Sequence, residues 1–428
     1  MNKKAFQFAK LLLIFAFLAA SCRPGPGPTA LPTAATTPAG EPTQAGTPSV
    51  GVLPTEPAPT QVTPSVRATV SGNSRGYLTT PQELQAIKQK AEQGIEPYRS
   101  TVQAALLAAQ EALNAKFPRV PDEIDIDEDK IETPKYLSEG ALDAYALALG
   151  FHLVKESDPL LAEKYAEKAY KLVMTLPRRH TDVSGYQANT RLNLSVYIPA
   201  FVYAADLLAD WKVPGTDKFF YESPDNQQLK EWLGSVIIRY PYNAAHTRNN
   251  NWGAWARLAT AAIGDYVGAD APLYIQGFAK GISGEYLINP LAVCDPHAVV
   301  DCLAIDGGMA YATALRLHFE FVDGKLVENS RSSCDSEGIP GMIRPDGGLP
   351  DELRRQYKCD SIEIKDPEGA AASYSQFAIQ PMVSLAEIAW RRGSAELYTH
   401  IDPATGRGAL YRAIQFLVKN NVRMKHPT

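Results

Sequence analysis

The sequence predicts an all-α fold, and three observations carry that reading. Apolar residues recur at i, i+3 and i+4 through nearly every long segment after residue 72. Period-two alternation is scarce. Short breaks containing Ser, Asp, Pro or Gly interrupt the helical runs at hairpin spacing. Successive helical hairpins either stack as an open solenoid or close around a centre into an (α/α) toroid. No fixed repeat period runs along the chain, which counts against a tetratricopeptide-like array.

The elements follow in order. Residues 80–116 begin with Thr and Pro, a capping residue and a first-turn residue, and continue with helical spacing. Residues 138–156 and 158–176 form a helical hairpin broken at Ser157, Asp158 and Pro159. Residues 191–211 and 223–240 are further helices, and another starts within "HTRNNNWGAWARLATAAIGDY" at 246–266. Helices are also expected over 271–287, 307–322, 380–398 and 406–421. Between them, residues 177–190 and 328–373 are polar and helix-poor. Loops of such length inside a domain are commonly functional or disordered.

The N-terminal region reads differently. Lys3 and Lys4 precede the apolar run "LLLIFAFLAA", which is too short for an ordinary membrane span. "LAASC" then ends on Cys22. Small residues directly before a cysteine resemble a bacterial lipoprotein signal, which implies acylation of Cys22 and a lipid tether at the cell envelope. Residues 23–72 are dominated by Pro, Thr, Ala and Gly. They hold too little apolar surface to offset chain entropy, so a disordered spacer is expected there. The folded domain is expected over 73–428.

Five cysteines are present. With Cys22 acylated, Cys294, Cys302, Cys334 and Cys359 remain. An even number in an exported domain favours two disulfides. The pairs Cys294–Cys302 and Cys334–Cys359 need the least loop closure among three connectivities. Zinc needs tighter cysteine spacing, and no His-x-x-x-His pattern occurs, so neither a metal nor another cofactor is expected. A net charge of −5 with no long basic run indicates neither nucleic acid nor an anionic membrane surface as partner.

The stretch around residue 250 invites two readings. Asparagine caps helix starts, but one cap accounts for one of Asn249, Asn250 and Asn251. Trp252 and Trp255 share helical spacing with Leu258, Ala259 and Ala262, which favours core packing. His152 and His318 lie in apolar helix patterns and read as core or edge residues. His297 lies between two cysteines and reads as structural.

Two stretches together resemble one family. "NNNWGAW" at 249–255 is similar to the Asn-Asn-His-x-x-Trp helix start of the alginate lyases. "PDGGLPDELRRQ" at 345–356, followed by "SYSQFAIQPMVSLAEIA" at 373–389, resembles the family's second signature. There an Asp-Gly turn, a Leu-Pro-x-Glu-Leu run and basic residues lead to a tyrosine, after which a helix follows. The resemblance spans roughly residues 90–420. It implies an (α/α) toroid whose groove cleaves an acidic, uronate-containing polysaccharide by β-elimination.

That reaction removes a proton from the carbon beside a sugar carboxylate, so the carboxylate's charge has to be neutralised first. By position, the resemblance places Asn251 on the carboxylate-gripping asparagine and Tyr374 on the catalytic tyrosine. Arg354 or Arg355 falls on the arginine near it, although an insertion containing Cys359 separates them from Tyr374. A guanidinium beside a phenol favours the phenolate. The family's histidine after the asparagine is Trp252 here, and an indole accepts no proton. Either tyrosine alone serves as base, or His246 or His180 substitutes, or the protein binds without cleaving. Asn250, Trp252, His180 and Arg248 are the candidates for holding substrate. The runner-up reading is a non-catalytic, carbohydrate-binding surface lipoprotein.

Overall fold

The computed structural model describes residues 72–125, 135–184, 189–242, 251–268, 319–322, 325–328, 347–349, 352, 371–392, 398 and 409–425. The chain divides into two units. All described residues belong to the unit containing Val70–Thr428, and Arg23–Thr69 forms the other. Cys22, the four remaining cysteines and the helix expected over 271–287 lie outside the described residues.

Local chemistry explains most helix starts. Helix α1 (Pro81–Glu92) opens on a capping box: Glu83 N–H donates to Thr80 Oγ1, and Glu83 Oε2 accepts from Thr80 N–H. The run expected over 80–116 is two helices rather than one. It breaks after Glu92, where Gly94 adopts φ +77 and Pro97 precedes α2 (Tyr98–Asn114). A single π turn (Tyr136–Gly140) leads into α3 (Ala141–Val154). Helix α4 (Pro159–Arg178) starts at the predicted break, with Asp158 accepting from Leu161 N–H and proline in the first turn. It includes Pro177, so the polar loop is shorter than expected. Two short strands, β1 (Ile124–Asp125) and β2 (Val183–Ser184), pair in parallel beside it.

Helix α5 (Asn189–Leu207) follows, then α6 (Pro224–Trp232), capped by Ser223 and extended by a second π turn (Leu233–Ile237). Helix α7 (Asn251–Val267) starts within the Asn-rich stretch. One helix expectation fails in part. The end of the 307–322 run is β3 (Phe319–Val322), paired antiparallel with β4 (Lys325–Glu328). Val322 faces Lys325 across the two-residue Asp-Gly connection, a strong hairpin signal that the helical reading overrode. Helix α8 (Ala371–Arg391) begins earlier than expected, with Tyr374 in its first turn and Pro381 tolerated inside. Helix α9 (Ala409–Lys425) follows.

The fold is all-α in class. Helices α3, α5, α7 and α8 pack in sequence, each against the next. Helices α2 and α4 flank α3, α6 bridges α4 and α7, and α9 covers α8. An inner row of helices with an outer row against it is the arrangement an (α/α) toroid requires. The inner helices are apolar nearly all round: α3 buries all but two of its fourteen residues, Asp143 and Phe151, and α7 all but Trp252. Among the described residues, no helix is long and apolar enough to cross a membrane.

The residues entering the domain are clamped by two buried carboxylates. Asp206, on α5, accepts from Ser74 Oγ and from the N–H groups of Arg75 and Gly76. Asp265, on α7, accepts from Arg392 Nε and Nη2, each at 2.7 Å, and from Arg75 Nη2 at 3.2 Å. Burial pushes Asp265 up, but the charges of Arg392 and Arg75 outweigh it and hold the carboxyl below its usual range.

His152 is buried on α3, with Nε2 donating to the Leu207 carbonyl at 2.6 Å. Burial lowers its pKa from the ordinary 6.5 to about 4. The unfolded chain therefore binds a proton near 6.5 that the folded chain refuses until about 4. Stability present above 6.5 is lost as pH falls toward 4, by about 3 kcal/mol in total for this residue. Denaturant titrations across that window should show the loss, and His152→Gln should flatten it. A slope unchanged in the variant would reject the assignment.

Candidate functional site

Helices α7 and α8 run side by side in the same direction. Trp255 and Phe377 meet at a tilt of 44°, with ring centroids 5.3 Å apart, near the two N-termini. Asp265 and Arg392 pair at the two C-termini. Asn251 lies one turn before Trp255, and Tyr374 lies about one turn before Phe377. Register alone therefore brings Asn251 and Tyr374 to the same end of neighbouring helices. They stand 123 positions apart in sequence, 374 − 251.

The start of α7 is built around a buried carboxylate. Glu352 Oε1 accepts from Asn251 N–H at 2.7 Å, and Oε2 accepts from Asn251 Nδ2 at 3.0 Å. Asn251 is fully buried and Glu352 is 1% exposed. A helix start leaves N–H groups without internal partners and carries partial positive charge, so a carboxylate there meets both needs. Glu352 belongs to the "LPDEL" run of the second sequence signature, and Asn251 to the first. The two stretches are thus directly bonded.

The turn that delivers Glu352 is set by one glycine. Gly347 has φ +93, a left-handed conformation in which side chains are strained. It also lies directly on the backbone of Arg412 at the start of α9, where a Cβ would overlap the carbonyl oxygen. Leu349 is buried, and its carbonyl accepts from Glu352 N–H at 3.1 Å. The Asp-Gly-Gly sequence therefore seats the loop on α9, and the loop then presents Glu352 to α7.

Three buried polar atoms at this end have no hydrogen-bond partner: Asn251 Oδ1, Trp255 Nε1 and Ser375 Oγ. Each residue is at most 2% exposed. Native interiors pair nearly all such groups, and these three lie on adjacent turns of two neighbouring helices, as some of several such atoms among the described residues. Tyr374, beside Ser375, is 38% exposed, and Trp252 is half-buried. The exposed phenol and the part-exposed indole stand at the surface, and the unpartnered groups lie beneath.

The remaining candidates fall as follows. His180 adopts φ +49 after α4, and its Nε2 lies 3.4 Å from Gln228 Nε2 of α6. The chain runs from there through β2 into the start of α5. Arg354, Arg355, His246, Asn250 and Arg248 lie outside the described residues. Sequence reasoning gave Glu352 no part in the site, although the signature contained it. It also missed Arg257, which is 1% exposed within α7 and whose burial pulls its pKa well below the ordinary range. A small cavity of about 40 Å³, lined by Asn73, Arg75, Asp206, Lys230 and Tyr266, lies at the opposite end of α7. It has room for a few waters and not for a sugar ring. Helix geometry puts its lining residue Tyr266 about 22 Å along the axis from Asn251.

Two comparisons with known proteins find a similarity. The alginate lyase family model matches residues 312–426, which contain Glu352, Arg354, Arg355 and Tyr374. Asn251 lies outside the matched span and joins it through Glu352. Among solved structures, an alginate lyase from Bacteroides ovatus aligns at 16% identity. The alignment covers 82% of this chain and 84% of that one, with a TM-score of 0.48. No curated protein matches.

Gly347→Ala should cost about 2 kcal/mol, because the left-handed backbone and the contact with α9 both resist a methyl group. Thermal denaturation reads the loss. A variant as stable as wild type would show that the turn is not seated on α9.

Proposed function

We propose that this protein is a polysaccharide lyase acting on an acidic, uronate-containing chain such as alginate. The observation that carries the reading is the bonded pair Asn251–Glu352, which joins the first signature to the family-matched region. Tyr374 at the same helix end supplies the acid–base group. The unpartnered buried atoms around it leave hydrogen-bonding capacity that a polar ligand can use.

In the proposed reaction, amide and guanidinium donors draw charge from the sugar carboxylate. Asn251 supplies the amide, and Arg354 or Arg355 supplies the guanidinium. The Tyr374 oxygen takes the proton from the adjacent carbon. The freed electron pair becomes a carbon–carbon double bond, and the glycosidic C–O bond breaks. The leaving oxygen then takes the proton from Tyr374, which returns to its starting state. One residue serves both steps when both atoms lie on the same face of the sugar. Trp252 cannot substitute for a base, and a half-buried indole suits stacking on a sugar ring. His246 is the nearest alternative base in sequence.

The second reading is a carbohydrate-binding protein that keeps the groove without turnover, and it rests on Trp252 standing where the family has histidine. In either case export is proposed, with a lipid on Cys22 holding the domain at the cell envelope through the Pro/Thr-rich spacer. Mass spectrometry of the mature N-terminus tests that part.

Ultraviolet absorbance of the unsaturated product, measured on a panel of acidic glycans, should rise with the wild-type protein. Tyr374→Phe should lower turnover by about 10²-fold or more. Full turnover in that variant removes Tyr374 from the reaction. Binding with no product on any glycan selects the second reading.

A further inference from the structure

We infer that Phe219 and Tyr221 form a second binding surface for an acidic polysaccharide, apart from the candidate site. The inference rests on the acidic-glycan part of the reading above and not on turnover. The residues between α5 and α6 fold into a small hairpin. Lys212 pairs with Phe219 across it, Val213 N–H donates to the Lys218 carbonyl at 3.0 Å, and Gly215 turns left-handed at φ +78. Trp211 and Phe220 are buried and meet the Tyr170 ring of α4, with centroids 5.3 and 5.9 Å away. Trp211 Nε1 also donates to Glu163 at 3.0 Å. Phe220 N–H donates to the Trp211 carbonyl at 2.8 Å, and Tyr221 N–H to the Ala209 carbonyl at 3.0 Å. The backbone is thus pinned, and on either side of buried Phe220 it holds Phe219 and Tyr221 37% and 44% exposed.

Two large aromatic rings held in water on a fixed backbone are the kind of anchor that binding surfaces use. Their Cα atoms are at most about 7 Å apart. Each ring has an ammonium beside it. Lys212 Nζ lies 5.9 Å from the centre of the Phe219 ring, and Lys230 Nζ lies 5.3 Å from that of Tyr221. Ring and cation, given twice, match a chain whose every unit carries an apolar sugar face and a carboxylate. Lys230 and Arg75 line the small cavity beside Tyr221, where the other charged group, Asp206, is already bonded to Ser74, Arg75 and Gly76. Asp217 and Glu222 flank the rings in sequence, so charge alone does not make this surface: the rings supply the hold, and the lysines select the acidic chain. Ala209 follows the end of α5, and Arg75 joins that end to the end of α7. The surface therefore lies at the end of the inner helices opposite Asn251 and Tyr374. A long chain can engage both places at once, which raises its affinity over that of a short one.

Electrophoresis through gels containing an acidic polysaccharide such as alginate reads binding without turnover. The double variant Phe219→Ala, Tyr221→Ala removes two exposed side chains, so its thermal midpoint should stay close to wild type. Its affinity for the polymer should fall by about 10-fold. Lys212→Gln should weaken retention and flatten its salt dependence. Where wild type cleaves the polymer, KM for the polymer should rise in the double variant with kcat unchanged. KM for a tetrasaccharide of the same sugars should not move, because so short a chain cannot touch both ends of the helices. Polymer affinity unchanged in the double variant would overturn the inference, as would an equal rise in KM for the tetrasaccharide. Wild-type protein retained by no acidic polymer, or equally by a neutral one, would overturn it as well. The lyase reading fails separately, on the absence of unsaturated product. Wild type that makes no product but loses retention with the two rings supports the inference under the carbohydrate-binding reading.

Discussion

Helix α7 is buried along its whole length except at Trp252, and that burial constrains much of what surrounds it. A helix in water can leave its end groups to solvent. A helix inside a protein cannot, because each unpaired N–H or C=O costs a desolvation penalty of about 1–3 kcal/mol. Both ends of α7 are accordingly met by distant parts of the chain. Glu352 meets the start. At the other end, Arg75 donates to the Asp265 carbonyl at 2.6 Å, and Gly268 turns left-handed at φ +57.

These end contacts organise the domain. The Arg75 contact pulls the entering segment across the ends of α5 and α7, where Asp206 and Asp265 hold it. Arg392 brings the end of α8 to the same place. At the opposite end, Glu352 brings in the Asp-Gly-Gly loop, which rests on α9. Ion pairs hold the one end, where Asp265 meets Arg392 and Arg75, and the Glu352 carboxylate holds the other.

The resemblance read from the sequence and the match over residues 312–426 meet at this second end. The matched region carries the tyrosine, the arginines and the glutamate, whereas the asparagine comes from outside it. What joins them is a pair of hydrogen bonds, and this physical link is why the proposed site takes in both stretches. Trp252, at the place where the resembled signature has histidine, is half-buried at the helix start beside the Asn251 bonds.

Much of the fold was legible in the sequence. Capping residues and prolines placed the starts of α1 and α4, and helical spacing identified the inner helices, because these are local signals in which the chain's own backbone is the partner. The 319–328 hairpin was misread, since a short apolar run supports either period and the Asp-Gly turn was passed over. The split between α1 and α2 was missed for a similar reason: Gly94 and Pro97 stood inside a pattern that otherwise continued. The candidate residues Asn251 and Tyr374 came from the resemblance, and nothing in their neighbours' composition distinguished them. By itself the sequence determined helix class, the capped starts of α1 and α4, and the types of side chain available. The tertiary structure decided that α7 and α8 run parallel, that Asn251 is buried, and that Glu352 is its partner. Those facts depend on contacts across a hundred residues, and spacing along one chain encodes no distance of that kind.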